Sequence, residues 1–403
     1  MSSTTADNPG PLPLAGIRVL ALEQAVAGPL STRHLADLGA AVVKVERPGG
    51  GDFARRYDTT VHGLSSYFVW LNRGKRSLSL DVKHPDARDV LDRLVATSDV
   101  LVQNLAPGAV DRLGLDWPTL QQARPDLVYC SISGYGGGGP YEHRKAFDLL
   151  LQGETGVIAT TGDTDSPAKL GISVGDIGAG VYGAMGVLAA LYQRRVTGLG
   201  QHVESSLFDA LAEWMGYPAY YTDHGGSPPA RAGLRHATVV PYGAYRCGDG
   251  DHVLLAVQTD QHWRDFSQVC GRPDWLEDPR FATSTARRIH RDVLEPAIEE
   301  AFAPHDRAEI TRRLAAADIP YGDLNSVDQF LTHPQLAARL RWRDVATPGG
   351  PMRALLPPIG LSASEPPMNA VPAVGEHNAA VLADLGYTDP EIAVLLQSPA
   401  LTG

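Results

Sequence analysis

The stretch Ile17-Arg18-Val19-Leu20-Ala21-Leu22-Glu23, followed by Gln24-Ala25-Val26-Ala27-Gly28-Pro29, decides the fold of this 403-residue chain. The first part is an apolar run with the length of a buried strand, and the Gly-Pro pair breaks it and opens a helix over residues 30–38. Gly39 closes that helix, and Ala41-Val42-Val43-Lys44-Val45-Glu46 is a second apolar run. A strand, a helix and a second strand within about thirty residues predict a βαβ unit with two parallel strands.

The alternation of strand and helix signals continues to residue 133. Further strands are predicted at residues 77–82, 99–103 and 127–133, and further helices at 85–96 and 117–123. This alternation predicts an α/β fold with a Rossmann-like, doubly wound large domain. Such sheets bind ligands outside the carboxyl ends of their strands, where Arg47, Asn104 and Tyr135 fall.

The composition is that of an ordinary soluble protein, with 43% hydrophobic and 20% charged residues, and a net charge of −11 argues against nucleic acid as the main partner. Cys130, Cys247 and Cys270 are far apart and form no CxxC pair, so neither a zinc site nor a disulfide framework is expected. Residues 1–14 lack the apolar core of a signal peptide, and the longest uncharged apolar run, 181–192, is too short to span a bilayer. We therefore expect a soluble, cytoplasmic protein without a membrane partner.

The second half of the chain has the pattern of a smaller α+β domain. Residues 223–233 are rich in glycine and proline and form the best linker candidate. Apolar runs at 239–245 and 252–257 flank Cys247-Gly248-Asp249-Gly250-Asp251, which indicates a β-hairpin. The predicted domains are a large domain that begins with residues 1–222, a small domain at 223–330, and a return segment at 331–403 that packs on the large domain.

Val174-Gly175-Asp176-Ile177-Gly178 places an acidic residue at the start of a glycine-rich apolar segment. A carboxylate at a helix N-terminus is stabilised as the anion and accepts hydrogen bonds from free backbone N–H groups. On this stretch alone, the simplest interpretation of Asp176 is a helix N-cap. Asp148 is a second acid near this region, and paired carboxylates could supply acid–base or nucleophilic catalysis.

Three glycine patterns share letters with ligand-binding motifs but lack the context that those motifs require. Gly178-Ala179-Gly180-Val181-Tyr182-Gly183 has GxGxxG spacing, but no strand precedes it, so we place it inside a helix. The four glycines at 136–139 are either a flexible loop over a site or a plain turn. Gly171-Ile172-Ser173-Val174-Gly175 matches a nucleophile elbow in letters only. The thirteen histidines form no HExxH or HxH pattern, so no metal site is predicted.

Five cationic residues fall in predicted loops or near the ends of elements. They are Arg47, Lys75, Arg76, Arg112 and Lys145. Such groups could bind the phosphates of a nucleotide-like ligand. For each of them taken singly, an ordinary solvated charge is an equally good interpretation.

A series of short motifs runs in order through the whole chain. They are Ala27-Gly28-Pro29, Val43-Lys44-Val45-Glu46-Arg47-Pro48, Gly51-Asp52, Asn72-Arg73-Gly74-Lys75-Arg76-Ser77, Asn104-Leu105-Ala106-Pro107-Gly108, Ser133-Gly134-Tyr135-Gly136, Gly139-Pro140-Tyr141, Gly175-Asp176, Thr197-Gly198-Leu199-Gly200-Gln201, Val240-Pro241-Tyr242 and Ile319-Pro320-Tyr321-Gly322. The set resembles the class III coenzyme A transferases, the family that includes formyl-CoA transferase, carnitine-CoA transferase and α-methylacyl-CoA racemase. The run 235–242 is most similar to that of the dicarboxylate CoA transferases.

This resemblance implies a two-domain enzyme that forms an interlocked, ring-like homodimer and moves CoA between carboxylic acids. The acids would be dicarboxylic, of the succinyl-CoA, mesaconyl-CoA or glutarate type. It implies that Asp176 is a nucleophile that forms first an aspartyl anhydride and then an aspartyl-CoA thioester, with Asp148 as an acidic helper. It also implies acyl-CoA and carboxylic acids as partners, and no metal or cofactor beyond CoA as a substrate.

Position by position, the resemblance also assigns ligand contacts. The implied CoA contacts are Arg47, Lys75, Asn104, Ala109, Arg112 and Lys145. Backbone N–H groups of Gly137 and Gly138 would stabilise the oxyanion. Arg235 or His236 would hold a distal carboxylate of the substrate, with the alternative that both are surface residues of a hinge.

Two positions bear on the reaction type. Val26 stands on the acyl side where formyl-CoA transferase has a glutamine, which argues against oxalate as the substrate. Phe147 stands where the racemase has its histidine base, which argues against epimerisation. An acyl-CoA racemase or isomerase, a CoA transfer within one diacid, and a non-catalytic CoA-binding protein remain as alternatives.

Overall fold

The computed structural model describes residues 10–402, and its largest sheet has six parallel strands. The strands in chain order are β1 (Arg18–Leu22), β2 (Ala41–Glu46), β3 (Lys75–Ser79), β4 (Val100–Gln103), β5 (Val128–Ser133), β6 (Gly162–Asp163), β7 (Ser166–Pro167), β8 (His202–Ser206), β9 (Tyr242–Arg246), β10 (His252–Ala256), β11 (Tyr321–Asp323), β12 (Trp342–Val345) and β13 (Met352–Leu355). The order in the large sheet is β3-β2-β1-β4-β5-β8. The predicted α/β class and parallel sheet are confirmed.

The helices fill the connections between these strands. They are α1 (Ala27–Asp37), α2 (Ser66–Asn72), α3 (Ala87–Thr97), α4 (Ala109–Arg112), α5 (Trp117–Ala123), α6 (Asp148–Glu154), α7 (Val157–Thr160), α8 (Val174–Thr197), α9 (Leu207–Trp214), α10 (Gly216–Asp223), α11 (Asp260–Val269), α12 (Ser284–Ile289), α13 (Arg291–Phe302), α14 (Arg307–Ala316), α15 (Val327–Leu331), α16 (Pro334–Ala338), α17 (Asn378–Asp384), α18 (Asp389–Leu395) and α19 (Pro399–Thr402), with 3-10 helices at Phe53–Arg56 and Pro273–Leu276. The predicted βαβ unit is confirmed, because β1, α1 and β2 follow one another and β1 pairs with β2 in parallel.

The strand order is that of a doubly wound sheet. The chain moves outward from β1 through β2 to β3, and then returns to start again at β4, which pairs with the other edge of β1. The order therefore reverses between β1 and β4, and ligands of such sheets bind at the carboxyl ends on either side of this point. The core strands are apolar, as expected for parallel strands covered on both faces; Leu20 and Leu101 are fully buried.

Helix α8 is the central helix of this unit and packs against α1, α9, β5 and β8. Its glycines allow α1 and β8 to approach the helix closely. A Cβ on Gly180 would lie 2.6 Å from the carbonyl oxygen of Ala27, and a Cβ on Gly186 would lie 2.4 Å from Cγ1 of Val203. The GxGxxG letters lie inside this helix, as predicted. Within residues 10–402, α8 is the one helix long and apolar enough to cross a bilayer by length and composition, and its burial is that of a core helix.

The described residues divide into two compact units. The first contains residues 10–155, 170–217 and 337–402, and the second contains residues 156–169 and 218–336. In the first unit, residues from α17 to α19 such as Leu382 and Leu401 belong to the same apolar core as Leu20 and Leu78 of the sheet. Residues 156–169 and 218–222, predicted as part of the large domain, and residues 331–336, predicted as part of the return segment, group with the second unit.

The second unit has its own sheet and core. Strands β9 and β10 pair in antiparallel fashion and are joined through residues 247–251, so the predicted hairpin is confirmed. Strand β11 completes a three-stranded sheet. The core beneath it contains Trp263, which stacks on Trp275 with ring centroids 5.8 Å apart.

Candidate active site

Two acidic side chains meet at the start of α8. Asp176 lies in the first turn of this helix, and Asp148 is the first residue of α6. Oδ1 of Asp148 accepts a hydrogen bond from the backbone nitrogen of Gly175 at 2.7 Å and a longer one from that of Asp176 at 3.4 Å. First-turn N–H groups have no partner inside their own helix, so Asp148 caps α8 from a neighbouring helix. The structure thus brings the two predicted acids together.

The interpretation of Asp176 as the N-cap of its helix is wrong. The N-cap residue is Ser173, whose side chain makes no capping hydrogen bond, and Asp176 is the third residue of the helix. Asp148 makes the capping hydrogen bonds instead, so the carboxylate of Asp176 is not needed as a helix cap.

No strand of the described chain precedes Ser173 directly, so the Gly-x-Ser-x-Gly letters do not form a nucleophile elbow.

The surroundings of Asp176 make it an unusual acid. Burial, first, and the negative charge of Asp148, second, raise the pKa of Asp176 to about 7. A carboxylate that ionises near neutral pH is a stronger base, and a better nucleophile, than an ordinary aspartate. Perturbed acids of this kind in paired arrangements are typical of catalytic sites.

Gly175 provides the space that this arrangement needs. A Cβ at this position would lie 3.1 Å from Cδ1 of Leu211 and 3.2 Å from Oδ1 of Asp148. Both distances are tighter than ordinary van der Waals contact, so a side chain here would push Asp148 away from the helix. Glycine at 175 is therefore part of the geometry that holds the two acids together.

The β1–α1 turn lies beside this pair. Val26 is buried in a small apolar cluster with Leu30 and Leu71, against which Ile177, the residue after Asp176, also packs. Ala25 has a left-handed backbone with φ of 62°, which is unfavourable for alanine, and its N–H donates to Oδ1 of Asp52 at 3.1 Å. Val26 therefore reaches the neighbourhood of Asp176 as part of the wall of the site.

Asn104 holds the same turn from the other strand. Its Oδ1 accepts from the backbone nitrogen of Gln24 at 2.8 Å, and its Nδ2 donates to the carbonyl oxygen of Gln24 at 2.8 Å. This two-point contact joins the ends of β1 and β4 at the point where the strand order reverses. One Nδ2 proton remains for a ligand, so the assignment of Asn104 to CoA stays a prediction.

Lys75 does not have the exposure expected of a phosphate contact. Its side chain is closed to solvent, and Nζ donates to Oε1 of Glu23 at 2.7 Å, the carbonyl oxygen of Pro29 at 2.8 Å and Oδ1 of Asn72 at 3.0 Å. These acceptors use all three N–H donors of the ammonium group. The assignment of Lys75 to CoA is therefore corrected: the residue neutralises a buried acid.

A second buried lysine completes this charge network. Nζ of Lys44 lies 2.9 Å from Oδ2 of Asp52 and 3.5 Å from Oε1 of Glu23. Burial by itself would raise the pKa of Glu23, but the two ammonium groups hold it below the ordinary value. The network connects the sheet to the Ala25 turn through Asp52. Lys44, Asp52 and Lys75 lie in three of the short sequence motifs, but the sequence alone did not show that they contact one another.

The other predicted CoA contacts are accessible. Arg47, Arg112 and Lys145 are exposed, and within residues 10–402 none of their side chains has a hydrogen-bond or ion-pair partner. Ala109 is the first residue of α4, three positions before Arg112. Arg76, by contrast, is paired with Asp384. Three of the five cations considered from the sequence are thus free to bind an anion.

The glycine loop at 136–139 follows β5. Gly138 has a left-handed backbone, with φ of 76°, and its N–H donates to Oε2 of Glu142 at 3.2 Å. Gly137 is exposed, and within the described chain its N–H has no acceptor. The N–H of Gly138 must leave Glu142 before it can serve an oxyanion.

Arg235 and His236 belong to the second unit and have partners there. Nη2 of Arg235 lies 2.8 Å from Oε1 of Glu299, and its Nε lies 3.5 Å from Oε2 of Glu295. Nδ1 of His236 accepts from the backbone nitrogens of Thr238 and Val239. Two carboxylates already offset the charge of Arg235, so a substrate carboxylate would have to compete with them.

Two residues near the acid pair were missed by sequence reasoning. Tyr57 follows the 3-10 helix, and after burial the negative charges of Asp52 and Asp176 raise the pKa of its hydroxyl group. Gln152 is fully buried and donates from Nε2 to Oδ2 of Asp148 at 2.7 Å. Neither lies in a motif, and only the fold shows what they touch.

Within the described residues, no cluster of three or more His, Cys, Asp or Glu could hold a metal ion.

Comparison with known proteins gives consistent matches over nearly the whole chain. Residues 14–378 match the sequence model of CoA-transferase family III. The chain is 33% identical to a formyl-CoA:oxalate CoA-transferase of Escherichia coli O157:H7, over 96% of this chain and 99% of the relative. It is 34% identical to a succinate–glutarate CoA-transferase of Agrobacterium fabrum, over 93% and 96% of the two chains. A crystal structure of a CaiB/BaiF family protein from Brucella suis, 34% identical, superposes with a TM-score of 0.82 over 93% of this chain and 100% of that one.

Proposed function

The chain belongs to CoA-transferase family III, and we propose that it moves CoA between dicarboxylic acids through a covalent intermediate on Asp176. The observation that carries this proposal is the acid pair: a half-buried aspartate with a pKa of about 7, beside a second acid that caps its helix. Family membership supplies the reaction type, and the pair supplies a nucleophile suited to it.

The proposed reaction has two matched halves. The carboxylate of Asp176 attacks the thioester carbonyl of the acyl-CoA, the C–S bond breaks, and CoA thiolate leaves behind a mixed anhydride. The thiolate then attacks the aspartyl carbonyl, the donor acid leaves as a carboxylate, and an aspartyl-CoA thioester remains. The acceptor carboxylate attacks this thioester and displaces the thiolate, which then attacks the acceptor carbonyl and frees Asp176. Each step exchanges one activated acyl bond for another, so no external energy source is needed.

The environment of Asp176 favours the first step. Burial and the charge of Asp148 destabilise the free carboxylate of Asp176. Acylation removes that negative charge and so relieves both penalties as the anhydride forms. Oδ1 of Asp148 can keep its contact with the helix terminus throughout, because the donors to this oxygen are backbone N–H groups and not the reacting carboxylate.

CoA binding is proposed for the exposed cations of the first unit. Arg47, Arg112 and Lys145 would contact the phosphates, Ala109 would line the adenine end, and the remaining Nδ2 proton of Asn104 would bind the ligand. Lys75 is left out of this set, since it is buried and fully paired. Gly137, with Gly138 once released from Glu142, would stabilise the oxyanion.

Dicarboxylic acids are the proposed substrates. The succinate–glutarate relative supports this class, and the apolar Val26 at the acyl side gives no polar contact for the second carboxylate of oxalate. Arg235 or His236 would bind the distal carboxylate, in competition with the acids that Arg235 already contacts. A panel of acceptor acids with succinyl-CoA as donor tests this point. Activity confined to oxalate, the shortest dicarboxylic acid, would contradict the proposed longer dicarboxylates of the glutarate or mesaconate type, and no activity with any dicarboxylate would contradict the whole substrate class.

The alternative reactions have less support. Phe147 is 65% exposed and carries no proton acceptor, so a two-base racemase would lack one base at this position. A CoA transfer between the two carboxyl groups of one diacid would use the same acid pair. Analysis of the products distinguishes this reaction from a transfer between two different acids. A non-catalytic CoA-binding protein would have no need of a near-neutral nucleophile beside a second acid.

We also propose the interlocked homodimer. Large apolar side chains of the first unit are exposed near the acid pair and along α8: Phe147, Leu149, Leu150, Ile172, Met185, Tyr192 and Val196. Exposed apolar surface of this extent is typical of an interface. We expect the protein to sediment at twice the mass of one chain.

A location in the cytoplasm stays a prediction.

The transfer assay with Asp176 variants tests the function directly. Asp176→Asn keeps the shape of the side chain and removes the nucleophile, so transfer should fall by about a thousandfold or more. Asp163→Asn, in the second unit, is the matched control and should retain activity. Transfer by Asp176→Asn at the wild-type rate would defeat the proposal.

A further inference from the structure

Gln152 is a fully buried amide one helical turn after Asp148 on α6. Its Nε2 donates to Oδ2 of Asp148 at 2.7 Å and, more weakly, to the carbonyl oxygen of Ile172 at 3.4 Å. Its Oε1 accepts from the backbone nitrogen of Leu170 at 2.9 Å. Both ends of the amide are therefore engaged, one with the second acid and one with the loop that leads into α8.

These contacts complete the hydrogen bonds of Asp148. Its Oδ1 accepts from the backbone nitrogens of Gly175 and Asp176, and its Oδ2 accepts from Gln152. All of these partners are N–H donors, which stabilise the negative charge of a carboxylate. Gln152 is the only side chain among them, so within the described chain it alone determines how Oδ2 is held.

We propose that Gln152 is a positioning residue for CoA transfer: it holds the carboxylate of Asp148 against the first turn of α8, beside Asp176. This inference rests on the proposed function. The amide also ties residues 170–172 to α6, which sets the point at which α8 begins.

Several charged groups on the neighbouring elements have partners of their own. Asp209 of α9 accepts from Ser206, Glu154 of α6 pairs with Arg144, and Asp37 of α1 pairs with Arg73. Burial, the larger effect, lowers the pKa of His202, while the negative charge of Glu204 in β8 raises it. Within residues 10–402, the charge of Asp176 also contributes to raising the pKa of Tyr57, after burial and the charge of Asp52. The environment of Asp176 is thus set by burial and by Asp148, and the position of Asp148 by Gln152.

Two substitutions separate the contacts of the amide. Gln152→Leu removes the donor to Asp148 and the acceptor for Leu170, at similar volume. Gln152→Glu keeps the acceptor for Leu170 and can donate to Asp148 only while it is protonated. If the donor to Asp148 matters, the ratio of Gln152→Glu to wild-type kcat/KM falls as pH rises, and Gln152→Leu is reduced by about tenfold or more at every pH.

Amide hydrogen exchange measures the contact between Asp148 and the start of α8 without requiring catalysis. The N–H groups of Gly175 and Asp176 have no carbonyl acceptor in their own helix, so their protection reports the position of Asp148. We expect faster exchange at these two amides in Gln152→Leu than in the wild type. In Gln152→Glu the exchange rate relative to the wild type should increase as pH rises.

Gln103→Leu is the matched control. Gln103 is a buried glutamine of the same unit whose Oε1 accepts from the backbone nitrogen of Leu105, and it touches neither acid. Its substitution should leave exchange at Gly175 unchanged. Wild-type pH dependence and exchange in both Gln152 variants would overturn the inference. If transfer were absent from the wild type, the proposed function would fail, while the exchange data would still decide whether Gln152 positions Asp148.

Discussion

Oδ1 of Asp148 lies 3.4 Å from the backbone nitrogen of Asp176, so the second acid of the pair contacts the main chain of the first. Asp148 also accepts from Gly175 at 2.7 Å and thereby caps the helix that carries Asp176. One carboxylate thus fixes the helix terminus and also raises the pKa of its neighbour.

The activity of the enzyme should depend on pH through Asp176. Since its pKa is raised to about 7 and the carboxylate is the nucleophile, kcat/KM should rise with pH and level off above about 7. Asp148→Asn can still accept from Gly175 but carries no charge, so the midpoint should move to lower pH. A pH–rate profile of both proteins checks this, and identical midpoints would contradict the electrostatic coupling.

The same pKa shift has a consequence for stability. The folded-state pKa of about 7 lies above the ordinary aspartate value of 3.8, so the folded protein binds the extra proton and loses stability as pH rises between these values. Asp176→Asn removes this penalty and should increase the free energy of unfolding at pH 8 by on the order of 1–3 kcal/mol, with no gain at pH 3. Denaturant unfolding at the two pH values measures it; an equal effect at both would be inconsistent with the raised pKa.

Lys75 and Arg47 should behave in opposite ways when substituted. Lys75→Met leaves Glu23 buried with one partner fewer, and should destabilise the fold by about 3 kcal/mol. Arg47→Ala should leave stability unchanged and weaken acyl-CoA binding by roughly tenfold, because its side chain is exposed. Unfolding experiments and calorimetric titration with CoA compare the two. A stable Lys75→Met variant that fails to bind CoA would restore the phosphate assignment.

Gly175→Ala tests the spacing of the acid pair. The added methyl group would lie 3.2 Å from Oδ1 of Asp148 and 3.1 Å from Leu211, so Asp148 should move and transfer should fall by about tenfold or more. Gly171→Ala is the matched control in the preceding loop, where a Cβ meets no atom within 4 Å. Steady-state kinetics of both variants measure this effect. Equal transfer rates of Gly175→Ala and Gly171→Ala would show that the contact between residue 175 and Asp148 is unimportant for transfer.

The local elements of the site could be predicted from the sequence, because short-range signals determine them. The apolar runs around residues 17–23 and 41–46 formed β1 and β2, and residues 247–251 joined the hairpin. Asp176 fell in the first turn of a glycine-rich helix. In each case the deciding residues are neighbours along the chain.

The contacts between distant segments could not be predicted in this way. Lys75 and Arg47 both fell near element ends, and only the fold showed that Glu23, Asn72 and Pro29 surround Lys75. Gln152 is one glutamine among several and acquires its role from Asp148 and from a loop eighteen residues ahead. Burial of a polar side chain depends on which segments fold over it, and a single sequence does not carry that information.

The central claim, that Asp176 becomes covalently acylated during transfer, is tested most directly by mass spectrometry of the protein after brief incubation with succinyl-CoA. We predict an adduct of a succinyl or CoA group on the peptide that contains Asp176, which hydroxylamine removes and which is absent from Asp176→Asn. Turnover of succinyl-CoA without any adduct on that peptide, or with the adduct on another residue, would contradict the account.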